Sequence, residues 1–256
     1  MRRNLLIRIL SGIVLVAVAS SFAHADNFMY FKKKAAAAGG GSTYPDILFY
    51  WGCESTTAEY SAGDASATAH GTTPTISNAQ AAVGTNSCSL PANTYYDFTL
   101  NNDDIMDTDS GKIGFYVYCT TQGGNSSLID ARYDANNRVT LRIWDADQLY
   151  IGYIAGASGP DFVATSAGTW GASAWYFVEY SWNKGGAGND YNVLVGGTNR
   201  LANDDASGTW TKSASGALAI GDVESNGSVC FIDQVFVTND PTRDLYAIRA
   251  CTNCYP

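Results

Sequence analysis

The chain has 256 residues, 24 acidic against 15 basic, a formal net charge of −9, and 46% apolar side chains. A surface that acidic repels phosphate backbones and anionic lipid, which argues against nucleic acid or a charged membrane as partner. The apolar share argues against a disordered chain, because enough side chains exist to fill a core.

Arg2 and Arg3 precede an apolar run from Ile9 to Ala19, and Ala23-His24-Ala25 supplies small residues at a cleavage position. This is the pattern of a secretory signal peptide over 1–25, and its apolar run is too short to cross a bilayer comfortably. Cleavage removes three arginines and no acid, leaving 12 Lys and Arg against 24 Asp and Glu, a net charge of about −12. The mature protein is therefore expected outside the cytoplasm, extracellular or periplasmic, with no integral membrane segment. Residues 26–45 hold Lys32-Lys33-Lys34, four alanines and three glycines; with no apolar face, they read as a flexible linker. The remaining 46–256 make one domain of about 210 residues, within the single-domain range of a β-sandwich.

Clusters of Gly, Asn, Asp and Ser then separate eleven candidate strands: 47–54, 88–90, 95–100, 112–120, 127–133, 138–144, 148–154, 175–182, 190–195, 217–220 and 229–237. The last strand is the most telling. Period two places Val229, Phe231, Asp233, Val235 and Val237 on one face, and Cys230, Ile232, Gln234 and Phe236 on the other. Asp233 in such a strand is costly to bury unless paired. A short helix-like turn follows before Arg249. No window of ten residues beyond the signal peptide keeps a helical period. The reading is all-β, a sandwich or barrel of short antiparallel strands.

All six cysteines, Cys53, Cys88, Cys119, Cys230, Cys251 and Cys254, lie beyond the signal peptide. An even number in an exported chain implies up to three disulfides, with 15 pairings open. Cys251 and Cys254 have no second ligand pair for zinc and no helix start for redox work, so a local, tail-tying disulfide is expected.

Several motifs together carry a resemblance. Lys112-Ile113-Gly114-Phe115-Tyr116-Val117-Tyr118, the hairpin Ser127-Leu128-Ile129-Asp130 to Asn137–Ile143, Ala174–Tyr180, Asn192–Gly197, Leu218–Gly221 and Phe231–Val235 occur in the order seen in one superfamily. The chain resembles the laminin-G-like, concanavalin A-like lectin/glucanase superfamily over roughly residues 46–249. Gly196-Gly197 departs from the usual Asp-Gly, and tyrosines at 116 and 118 stand where a tryptophan is usual. The resemblance implies a two-sheet antiparallel jelly roll. It also implies first and last strands side by side, with a structural Ca²⁺ there; Glu54 and Asp233 are the candidate ligands, supplemented by backbone carbonyls near Gly63-Asp64.

Strand parity yields a second candidate site. Tyr116, Tyr118, Asp130, Arg132, Arg142 and Trp144 fall opposite apolar neighbours and are expected on one exposed sheet face. Aromatic faces stack on sugar rings and guanidinium forks bind hydroxyls, so Tyr116, Asp130, Arg132, Arg142 and Trp144 are candidate ligand contacts. The bland counterpart is a solvated face whose arginines pair with Asp130. Catalysis finds little support. The chain has four glutamates, Glu54, Glu59, Glu179 and Glu224, and none forms the paired-carboxylate motif that the superfamily's glucanases use. The sequence thus reads as a secreted, non-catalytic binding module for a carbohydrate or surface ligand. The rivals are a structural, assembling surface or matrix protein, and a divergent glycan hydrolase or lyase that would depend on Glu179.

Overall fold

The computed structural model describes residues 44–256 apart from 101–108, 123, 146, 157–159, 185–189, 204–215 and 225. The expected signal peptide and the linker up to residue 43 lie outside the described residues.

Sixteen strands are found among the described residues: β1 (Ile47–Trp51), β2 (Tyr60–Ser61), β3 (Thr68–His70), β4 (Thr75–Ser77), β5 (Ser87–Leu90), β6 (Tyr95–Thr99), β7 (Ser110–Thr121), β8 (Ser127–Asp134), β9 (Asn137–Asp145), β10 (Gln148–Ala155), β11 (Pro160–Ala164), β12 (Tyr176–Asn183), β13 (Tyr191–Val195), β14 (Thr198–Asn203), β15 (Ala217–Gly221) and β16 (Val229–Thr238). One short helix follows, α1 (Leu245–Ile248), capped by the Asp244 side chain, which accepts from the Ala247 amide. Eleven strands coincide with those expected. β2, β3, β4, β11 and β14 are additions of two to six residues, too short or too polar to show an alternating pattern.

Two antiparallel sheets result. The first runs β14-β13-β12-β7-β16-β1-β2, with β5 also on β16 and β4 on β5; the second runs β11-β10-β9-β8-β15-β6-β3. First and last strands pair, Tyr50 opposite Phe236. The inward side chains of both sheets meet in one core. Phe49 packs edge-on against Phe98 at 4.8 Å and Trp51 against Tyr96 at 5.3 Å, which ties the sheets together. The chain is an all-β, two-sheet antiparallel β-sandwich.

β16 does not keep strict alternation. Its pairing with β7 slips between Asp233 and Phe236, and Gln234 sits at φ 53°. This β-bulge inserts one extra residue and reverses the parity beyond it. Cys230 and Ile232 therefore face the core together with Val235 and Val237, while Asp233 and Phe236 face outward, which corrects the single-face grouping read from the sequence. The bulge is held by the Tyr50 hydroxyl, which donates to Gln234 Oε1 at 2.9 Å.

Three disulfides pair the six cysteines. Cys119–Cys230 is a rung between β7 and β16, Cys53–Cys88 joins the exit of β1 to β5, and Cys251–Cys254 closes the local loop expected of it.

Candidate functional site

Outward residues of β7 and of β8–β9 belong to different sheets, so the six-residue face expected from parity divides in two. Tyr116 and Tyr118 lie on the outside of the nine-stranded sheet. Tyr116 is buried there in a second apolar layer with Tyr50, Phe177, Phe236, Leu245 and Ile248. α1 and the tail that follows cover this face, so Tyr116 is packing beneath the tail and does not join the other candidates. The physical reason is topological: β12 and β16 flank β7, whereas β9 and β15 flank β8.

Asp130, Arg132, Arg142 and Trp144 do come together on the outside of the seven-stranded sheet. Register places Asp130 opposite Thr140 and Arg132 opposite Arg138. Arg138, which shares the parity of Arg142, is the hinge of the cluster. It donates to both oxygens of the fully buried Asp130, Nε to Oδ1 at 3.1 Å and Nη2 to Oδ2 at 2.8 Å. Its Nη2 and that of Arg142 both donate to Glu224 Oε1, at 2.9 and 2.8 Å. Arg142 Nη1 donates to Asn125 Oδ1 at 3.3 Å, and Arg132 stands 3.7 Å from Asp130. A bidentate guanidinium–carboxylate pair fixes orientation as well as charge. The face is thus an ordered ion network, firmer than a solvated sheet surface.

The network tunes its acids in opposite directions. Burial pushes the Asp130 carboxyl above the usual range, against the charges of Arg138, Arg132 and Arg142. Burial acts upward on Glu224 too, but the Arg138 hydrogen bond and the arginine charges bring its carboxyl below the ordinary value.

Beside the network runs an aromatic row. β9 pairs with β10 through a slip between Ile143 and Asp145, and Trp144 is the extra residue of that bulge. Trp144 is 48% exposed, and among the described residues it is the one large apolar side chain that is exposed. Its ring lies 4.8 Å from Tyr150, which stacks on Phe162 at 5.0 Å. Phe162 folds over Gly152, where a Cβ would come within 2.2 Å of the ring, so glycine is required at that point of β10. Arg142 lies over the same ring at 5.7 Å. Arg138, Tyr150, Phe162 and Glu224 are additions to the sequence reading. Arg138 and Tyr150 were recoverable from parity; Glu224 comes from the turn after β15 and carried no signal.

The two acids offered for calcium differ in what they leave free. Glu54 lies beyond β1, and its oxygens accept from the Thr85 amide and hydroxyl and from the Asn86 amide and side chain. Its acceptor capacity is filled by protein donors. Asp233 is fully buried; Oδ2 accepts from the Ala82 and Val83 amides at 2.9 Å, while Oδ1 has no hydrogen-bond partner. No group of three or more His, Cys, Asp or Glu is gathered among the described residues. Asp233 thus keeps one oxygen without a hydrogen-bond partner, whereas both oxygens of Glu54 are taken by protein donors. Glu179, the residue a divergent hydrolase would need, is 2% exposed beneath the C-terminal segment, 3.9 Å from Lys112. A substrate has no access to it there.

Among solved structures, the fold is similar to domain 4 of an extracellular GH43 arabinanase from Geobacillus stearothermophilus in complex with arabinotriose. The TM-score is 0.62 at 11% identity, over 81% of this chain and 98% of that one. It is also similar to the receptor binding domain of botulinum neurotoxin C/D mosaic serotype, with TM-score 0.60, 12% identity, 81% of this chain and 51% of that one. The binding domain of botulinum neurotoxin DC in complex with SialylT gives 0.59, 13%, 79% and 50%. The chain spans about half the length of these toxin structures. At such identities the likeness establishes the sandwich fold. No family model matches the chain, and no curated protein is similar to it in sequence.

Proposed function

We propose that the protein is a secreted, non-catalytic binding module with a laminin-G-like jelly roll, which takes a glycan or other surface ligand on the outside of its seven-stranded sheet. The observation that carries this reading is Trp144, held exposed by a bulge at the end of an ordered arginine–carboxylate network. An exposed indole is a stacking surface for a sugar ring, and fixed guanidinium and carboxylate groups exchange hydrogen bonds with hydroxyls. Similar folds, two of them described as binding domains and a third solved in complex with arabinotriose, support the reading. So does the burial of Glu179, the acid on which the hydrolase alternative depends.

A glycan array probed with the wild type and with Trp144→Ala tests it. Binding to a defined set of glycans is expected for the wild type and loss of that set for the variant, with the melting temperature unchanged. A wild type that binds nothing on the array, yet has a solution mass of several chains, would overturn this reading in favour of the structural, assembling protein.

The proposal extends to a structural Ca²⁺ engaged by Asp233 together with backbone carbonyls; bound there, it would neutralise the buried carboxylate. Chelation is expected to lower the melting temperature of the wild type and to leave Asp233→Asn unaffected. An unchanged wild type removes the metal.

A further inference from the structure

The binding face is electrically balanced. Asp130 serves Arg138 and Arg132, and Glu224 serves Arg138 and Arg142. Asp97 lies across β15 from Asp130, both opposite Ala219; it pairs with His70 at 3.0 Å, and the Arg132 charge acts on it as well. With His70 counted as neutral, three guanidinium groups therefore meet three carboxylates, within a chain whose net charge on the same count is −9. An acidic ligand would find no surplus positive charge here and would approach an anionic protein. Hydroxyl groups are both donors and acceptors, and the face offers one of each. The Arg132 guanidinium and Glu224 Oε2 have no hydrogen-bond partner among the described residues, and both side chains are about one-third exposed.

Spacing supplies the second constraint. Arg138 and Trp144 are six residues apart on β9, and Arg132 stands opposite Arg138. At the ordinary rise of a strand, Trp144 and Arg132 lie about 20 Å apart, the reach of roughly four sugar units. Glu224, bonded to both Arg138 and Arg142, sits between these ends.

We infer that the face takes a neutral, linear polysaccharide segment of roughly four units laid along β9, with one ring on Trp144 and hydroxyls on Glu224 Oε2 and the Arg132 guanidinium. This rests on the binding reading above and adds charge class and length to it. The segment is bound along its length, so either end of a longer chain can run past the site.

Calorimetric titration of the mature protein tests it, using neutral xylan, β-glucan and arabinan oligosaccharides of two to six units and oligogalacturonates of the same lengths. Affinity for one neutral series is expected to rise up to four units and then level, and to change less than about twofold between low and high salt. Arg132→Ala is expected to leave disaccharide affinity unchanged and to cost about tenfold for the tetrasaccharide, the scale of one hydrogen bond to a charged group. Trp144→Ala should weaken every length. Affinity already level at two units, or tighter and salt-sensitive binding of oligogalacturonate, overturns the inference while the binding reading stands. No binding of any saccharide, with the protein folded, overturns both.

Discussion

On the nine-stranded sheet the outward residues Ile47, Tyr50, Phe177 and Phe236 are sealed beneath the C-terminal segment, whereas on the seven-stranded sheet the outward residues are Asp130, Arg132, Arg138, Thr140 and Arg142. Both faces hold charges that are nearly inaccessible. In the first, Lys112 and Glu179 lie under α1, with Lys112 donating to the Arg243 carbonyl at 2.6 Å and standing 3.9 Å from Glu179. In the second, Asp130 is buried, but its network reaches solvent through Arg132, Glu224 and Trp144. The same architecture thus turns one outer face into a second core and leaves the other open to solvent at Arg132, Glu224 and Trp144. What separates them is a tail of some dozen residues, anchored by Arg243 to Asp46 and closed by Cys251–Cys254.

Breaking the sealed face should cost the most. Glu179→Ala removes the acid paired with the buried Lys112 and leaves a void, so a loss of about 3–5 kcal/mol is expected by urea denaturation. Glu179→Gln should recover part of that, since it fills the same volume and leaves a polar oxygen near Lys112. Burial already pushes the Glu179 carboxyl upward, toward its neutral form, so an amide there is tolerable. Neither variant should alter ligand affinity once folded; a change would mean that the two faces are coupled.

On the open face the effect is smaller and divides between residues. Arg138→Ala removes the bidentate partner of Asp130, but Arg132 remains 3.7 Å away, so a loss of about 3 kcal/mol is expected, the lower end for a broken buried pair. Arg132→Ala should stay within about 0.5 kcal/mol of wild type in stability. Equal losses from the two would show that the network does not discriminate scaffold from contact.

Parity was enough to find an all-β fold of antiparallel strands, because alternating runs such as 139–143 and 113–119 have one buried partner surface each, and the family resemblance chose the two-sheet sandwich over a barrel. It could also say that Arg142 and Trp144 face away from that core. It could not say which strands share a sheet, since pairing is set by chain reversals far apart in sequence, and so Tyr116 was grouped with residues on the opposite side of the molecule. Nor could it register the bulges. Gln234 at positive φ and Trp144 at the end of β9 each break period two by one residue, and nothing in their immediate sequence marks the slip. Glu224 was invisible for a different reason: a turn residue's partners are chosen by where the turn lands, here over Arg138 and Arg142.

The subtlest contrast is in acid. Burial acts upward on Glu224, yet the Arg138 hydrogen bond and the charges of Arg142, Arg138 and Arg132 hold its folded value below 4.5. Its contribution to stability is therefore complete above pH 4.5 and is lost as pH falls through the lower folded value. Glu179 runs the other way. With its folded carboxyl raised by burial against the Lys112 charge, its favourable contribution lies below pH 4.5 and is lost as pH rises through the folded value. Denaturation of wild type, Glu224→Gln and Glu179→Gln from pH 7 to pH 3 separates them. The advantage of wild type over Glu224→Gln should shrink on acidification, and ligand affinity should fall with it as Arg138 and Arg142 lose their shared acceptor. Wild type should instead gain on Glu179→Gln over the same range. Parallel curves for the two variants would mean that the open network does not hold Glu224 ionised, and that the two faces differ in exposure alone.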